Sequence, residues 1–146
     1  DFTDAGFVST YRATAAEIVT IVDRLINNLK DHAVDAIVLE VADGLLQQET
    51  SALLCSDQFR AMVDGLIFAA GDAMGADNGV QWLNNRDLPV IAVSGCVSAS
   101  PLAAREAQRV TQMPVLGLEA LSSSEVAIKL FERCNEWLGA AQQAQS

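Results

Sequence analysis

Glu40 and Asp43 stand three positions apart at the end of an apolar run, "AIVLEVADG", over residues 36–44. A carboxylate at the end of a buried run is costly unless something pairs with it. A metal ion, a ligand or a helix N-terminus would each serve. Oxygen donors without His or Cys suit Mg²⁺, which keeps several waters and takes one or two carboxylates plus phosphate oxygens. Ser94 and Gly95 end a similar run, "PVIAVSG". With Gly44 they could present backbone N–H groups to an anion. Asp43 also fits a helix cap, with Gly44 turning the chain, and Asp72 fits a turn. Glu40 lies inside its apolar run, where a cap role is awkward.

Other chemistries lack their parts. His32 is the sole histidine and falls in a helix-to-strand connection, "KDHAVDA". It is a poor base for Cys96, which follows a strand in "VSGCVS". No Ser-His-Asp order is available. Cys55, Cys96 and Cys134 are far apart, and an odd count without CxxC spacing makes a poor disulfide framework and a poor zinc site. Reduced thiols in a cytoplasmic protein are the expectation, with Cys134 in the core. The only lysines, Lys30 and Lys129, fall inside helices. Neither GxxxxGK[ST] nor GxGxxG occurs, so no phosphate-cradling loop is visible.

The elements that would position Glu40 and Ser94 follow from periodicity. Ile18, Ile21, Val22, Leu25, Ile26 and Leu29 repeat at helical spacing after a capping box of Thr14 and Glu17. Continuous apolar runs at 36–42, 65–70 and 89–95, and a weaker one at 114–119, read as strands buried on both faces, as in a parallel sheet. Between them lie one or two helices over 45–63, broken near Ser56-Asp57. A short helix over 77–86 should hold Trp82 and Leu83 inward. Ser100-Pro101 opens another helix as N-cap and first-turn proline. A second capping box, Ser122 with Glu125, should open the last helix. Its apolar face would carry Val126, Leu130, Phe131, Cys134, Trp137 and Leu138.

Alternating helices and buried strands predict an α/β fold of three layers, a mostly parallel sheet of about four strands with helices on both faces. The 146 residues, half of them apolar, suffice for one domain over 1–140, followed by a disordered tail over 141–146. In such a sheet, ligands bind beyond the carboxyl ends of the strands. That edge would gather Glu40, Asp43 and Gly44, then Gly71, Asp72 and Gly75, then Ser94, Gly95, Cys96 and Ser98, and last Glu119 and Ala120. A net charge of −10 argues against nucleic acid and anionic membrane surfaces as partners. No signal peptide is visible, and no apolar run reaches the roughly 18 residues a membrane span needs.

The order of these residues resembles dethiobiotin-synthetase-like P-loop enzymes. "DAIVLEVADGLL" resembles the family's strand ending in Glu-Gly-Ala-Gly-Gly, and Glu40 falls on the glutamate that helps hold Mg²⁺. Val41, Ala42, Asp43 and Gly44 fall on the turn, with Val41 in place of its first glycine. "GLIFAAGDAMGADNGVQWLNNRDLPVIAVSG" resembles the following strand, glycine loop, helix and strand. Ser94 or Gly95 stands where the family commonly has a base-reading asparagine. "MPVLGLEAL" resembles the next strand without its final proline, and residues 9–29 resemble the helix before the glutamate strand. The likeness spans residues 9–121. It implies a partial P-loop NTPase-like fold that binds ATP with Mg²⁺ and whose first strand and phosphate loop lie outside this chain. Beginning at Asp1, the chain is expected to be the carboxyl-terminal part of a larger protein.

The resemblance thus implies the later part of a P-loop ATPase or ATP-dependent ligase. Glu40 and Asp43 would lie at the metal, and Asp43, Gly44, Ser94 and Gly95 at the nucleotide. "DFTDAGFVSTY", with Asp4, Ser9 and Thr10, would be a loop near the substrate or γ-phosphate, although turn and cap roles also fit those residues. The rival is a non-catalytic α/β module that binds a ligand or pairs as a homodimer, since an incomplete sheet invites association. A receiver-like domain needs a lysine after a later strand, and none follows any strand here.

Overall fold

The computed structural model describes residues 1–8 and 13–144, with side chains through residue 136. Ser9 and Thr10 therefore lie outside the described residues, as do 145–146 of the tail and the inward side chains expected of Trp137 and Leu138. The backbone packs as two compact units, Asp1–Ala61 and Met62–Ser146.

In the amino-terminal unit, α1 (Ala15–Lys30) starts at the expected capping box. The Glu17 N–H donates to Thr14 Oγ1 at 3.3 Å, and the Thr14 N–H donates to Glu17 Oε2 at 2.8 Å. Two orphan donors of the first turn are thereby satisfied. Ile18, Val19, Ile21 and Val22 are buried on one face, while Leu29, farther along the stripe, is exposed. Arg24 Nη1 donates to the Ala5 carbonyl at 3.1 Å and ties the helix to the opening turns. The next helical stretch breaks where the sequence suggests. α2 (Gln48–Leu54) ends before Ser56, and α3 (Asp57–Arg60) starts after it. Leu53, Leu54 and Phe59 form their buried face.

The run 36–42 departs from expectation. It forms no strand, and among the described residues no backbone hydrogen bond engages it. Val38 is 95% exposed, and Leu39 and Val41 are also exposed. The physical reason is a missing ladder. A run patterned for burial on both faces stays buried only where a sheet neighbour takes up its N–H and C=O groups. Among the described residues no strand pairs with it, so its backbone and its side chains other than the half-buried Ile37 face solvent.

In the carboxyl-terminal unit, β1 (Leu66–Ala69) and β2 (Val90–Ser94) pair in parallel. Ile67 faces Ala92, Phe68 faces Val93 and Ala69 faces Ser94, with an irregularity between Leu66 and Ile67. A parallel pair needs a crossover, and α4 (Ala73–Asn84) supplies it. Asp72 caps this helix by accepting from the Gly75 N–H at 2.7 Å, so α4 starts four residues before the expected 77. Ala76, Gly79, Val80 and Leu83 are its buried face. Trp82 is half-buried rather than inward, because the Arg86 guanidinium lies 3.6 Å above its ring and holds it at the surface. β2 is the central element, with Ile91, Ala92 and Val93 all buried.

The weak fourth run is mostly not a strand. Val115 makes a single parallel bridge to Val93, and Leu118–Leu121 is a short helix, α6. The bridge is held by Val93 N–H to the Pro114 carbonyl at 2.9 Å and Leu116 N–H to the Val93 carbonyl at 2.8 Å. Gly117, the N-cap of α6, ends the extended stretch. The described residues therefore give an α/β fold with a two-stranded parallel sheet and one further bridge.

α5 (Pro101–Thr111) begins as expected, with Ser100 Oγ accepting from the Ala103 N–H and Pro101 in the first turn. The box at Ser122 does not form. Ser122 is the C-cap of α6 and its hydroxyl donates to the Leu118 carbonyl at 2.9 Å. α7 (Ser124–Ala144) starts two residues later, and Glu125 instead pairs with Lys129 one turn on, at 2.6 Å. Of the expected apolar face, Val126, Leu130 and Cys134 are half-buried, while Phe131 is exposed. α4 packs on both strands and α7 on β2.

Candidate functional site at the carboxyl edge of the strands

β1 ends in Ala70-Gly71-Asp72 and β2 in Ser94-Gly95-Cys96. Gly95 adopts φ 90° and ψ −162°, a conformation L side chains rarely take. It brings the loop onto the Ala70 peptide. The Ala70 N–H donates to the Ser94 carbonyl at 2.8 Å, and the Val97 N–H donates to the Ala70 carbonyl at 3.0 Å. A Cβ at Gly95 would lie 2.7 Å from the Ala70 oxygen and 2.8 Å from its nitrogen. Glycine is the residue this close approach admits.

Two serines fix the rest of the edge. Ser94 Oγ donates to the Leu116 carbonyl at 2.7 Å and joins β2 to the bridged segment. Ser98 Oγ donates to the Gly95 carbonyl at 2.7 Å and closes the short 3-10 turn over Cys96–Ala99. Three chain segments thus meet around Gly95. α4 and α5 start from this edge, each with one N-terminal amide held by its cap, Asp72 or Ser100. Gly71 is open: a methyl group on its Cα would meet no atom within 4 Å.

Ser94 and Gly95 therefore come together with Ala70, Gly71 and Asp72. The Ser94 hydroxyl hydrogen is spent on Leu116, which leaves its oxygen as an acceptor. Glu40, Asp43 and Gly44 belong to the amino-terminal unit and are exposed. Glu40 and Asp43 have no hydrogen-bond or ion-pair partner among the described residues. They are two oxygen donors open to solvent, a number that suits Mg²⁺ with water filling the other positions. No group of three or more His, Cys, Asp or Glu is gathered for a metal among the described residues. Asp4 belongs to the opening turns, where its backbone N–H donates to the Asp1 carbonyl at 3.0 Å.

Cys55 and Cys96 are exposed, and Cys134 is half-buried. Cys134 Sγ lies in the space a Gly65 side chain would need. Burial, and then the negative charge of Asp64, push its thiol above the ordinary value of 9.0. The thiol packs against Gly65, and its raised value lowers the thiolate fraction. His32 is exposed and its Nδ1 meets the Asn28 carbonyl at 2.8 Å.

Sequence reasoning missed an open groove of about 300 Å³ between α4 and α5, lined by Met74, Asp77, Asn78, Glu106, Arg109 and Val110. These residues are spread over two helices, exposed apart from the half-buried Asp77, so no contiguous motif marks the groove. No protein-family model, no curated protein and no solved structure matches this chain. Among the described residues no helix is long and apolar enough to cross a membrane.

Proposed function

We propose that this chain is the later part of a P-loop ATPase or ATP-dependent ligase-like domain. The carrying observation is the parallel β1–α4–β2 unit whose strand ends close around Gly95. Ligands of open parallel sheets bind at such an edge. In this reading Ser94 and Gly95 are nucleotide-binding residues of the carboxyl-terminal unit, and Asp43 and Gly44 are nucleotide-binding residues of the amino-terminal unit. Glu40, with Asp43, holds Mg²⁺. When bound, the ion would neutralise phosphate charge and orient phosphate oxygens. Both carboxylates suit that task because neither is committed to a partner among the described residues. In the same reading β1 and β2 are two strands of a three-layer, mostly parallel sheet of about four strands. The phosphate loop would come from polypeptide outside these residues. A cytoplasmic setting agrees with an odd number of cysteines that lack CxxC spacing. A net charge of −10 disfavours nucleic acid and anionic membrane surfaces as partners.

Calorimetric titration with ATP, with and without Mg²⁺, tests this reading. Binding should require Mg²⁺ and disappear in Glu40→Ala. Heat that is independent of Mg²⁺ and unchanged in Glu40→Ala would refute it.

The exposure of Val38 favours a second reading, a non-catalytic α/β module that binds a ligand or pairs as a homodimer. Its coding sequence decides between the two. An upstream frame encoding GxxxxGK[ST] supports the enzyme, and a start codon close to Asp1 supports the module.

A further inference from the structure

We draw no further inference here: the strongest candidate, the solvent-exposed apolar segment 36–42 leading into Glu40, carries nothing because nothing in the structure shows what covers it.

Discussion

Gly95 rests on the peptide of Ala70, with room for no side chain between them. This contact joins the end of β2 to the end of β1, and the hydrogen bonds on either side of it hold the loop in place. Gly95→Ala must either strain its own backbone at φ 90° or push Ala70 away. Strain of this kind costs about 1–3 kcal/mol. Because the obstructing atoms are backbone, relaxation is difficult. Chemical denaturation should show a loss in that range, and a change below about 0.5 kcal/mol would contradict the geometry.

Gly79 makes a different contact. A methyl group there would meet the ring of Phe68 on β1. The obstacle is the end of a side chain, which another residue can remove. Gly79→Ala should destabilise by about 1–3 kcal/mol through overpacking. In a Phe68→Leu background the same change should become neutral or stabilising, since alanine is favoured over glycine within a helix by about 1 kcal/mol. A double-mutant cycle measures this sign change. Equal costs in both backgrounds would place the clash elsewhere.

The capping box gives α1 a pH dependence. The Thr14 backbone N–H, and then its hydroxyl, hold the Glu17 carboxyl below its ordinary value of 4.5. A lowered folded-state value stabilises the helix above pH 4.5 and is lost as pH falls through the lowered value. The protection of the Thr14 and Glu17 amides, measured relative to intrinsic exchange at each pH, should therefore fall on acidification below that point. In Glu17→Gln this acid-induced component should vanish. An identical acid response in both proteins would mean that Glu17 is not its source.

Cys134 and Cys96 should separate by reactivity. Cys134 is half-buried with a raised thiol value, whereas Cys96 is exposed at the strand edge. The thiolate is the reacting form. Under native conditions, iodoacetamide followed by peptide mass spectrometry should label Cys96 well before Cys134. Unfolding the protein should abolish the difference. Equal native rates would show that α7 does not pack over Gly65.

Legibility followed the range of the interactions. Thr14 with Glu17 and Ser100 with Pro101 were readable because a cap is decided within one turn. The strands at 66–69 and 90–94 were readable because their runs find partners in each other. The run 36–42 has the same composition, but composition does not show whether a neighbour is present to complete the ladder. Ser122 misled for a local reason. Its hydroxyl has two possible uses, and the end of α6 takes it before α7 begins. Phe131 misled because a helical period marks a stripe wider than the part that finds a partner. At the candidate site, Ser94 and Gly95 were visible as residues after a strand. The contact of Gly95 with Ala70 was not, since it depends on how two separate strands align.

Nucleotide binding at the strand edge is best tested by an amide NMR titration of the full chain with ATP and Mg²⁺. Shifts are expected at Gly71, Ser94 and Gly95, together with shifts at Glu40, Asp43 and Gly44 that require Mg²⁺. Shifts elsewhere, such as along the α4–α5 groove, or no shifts at all, would contradict nucleotide binding at this edge.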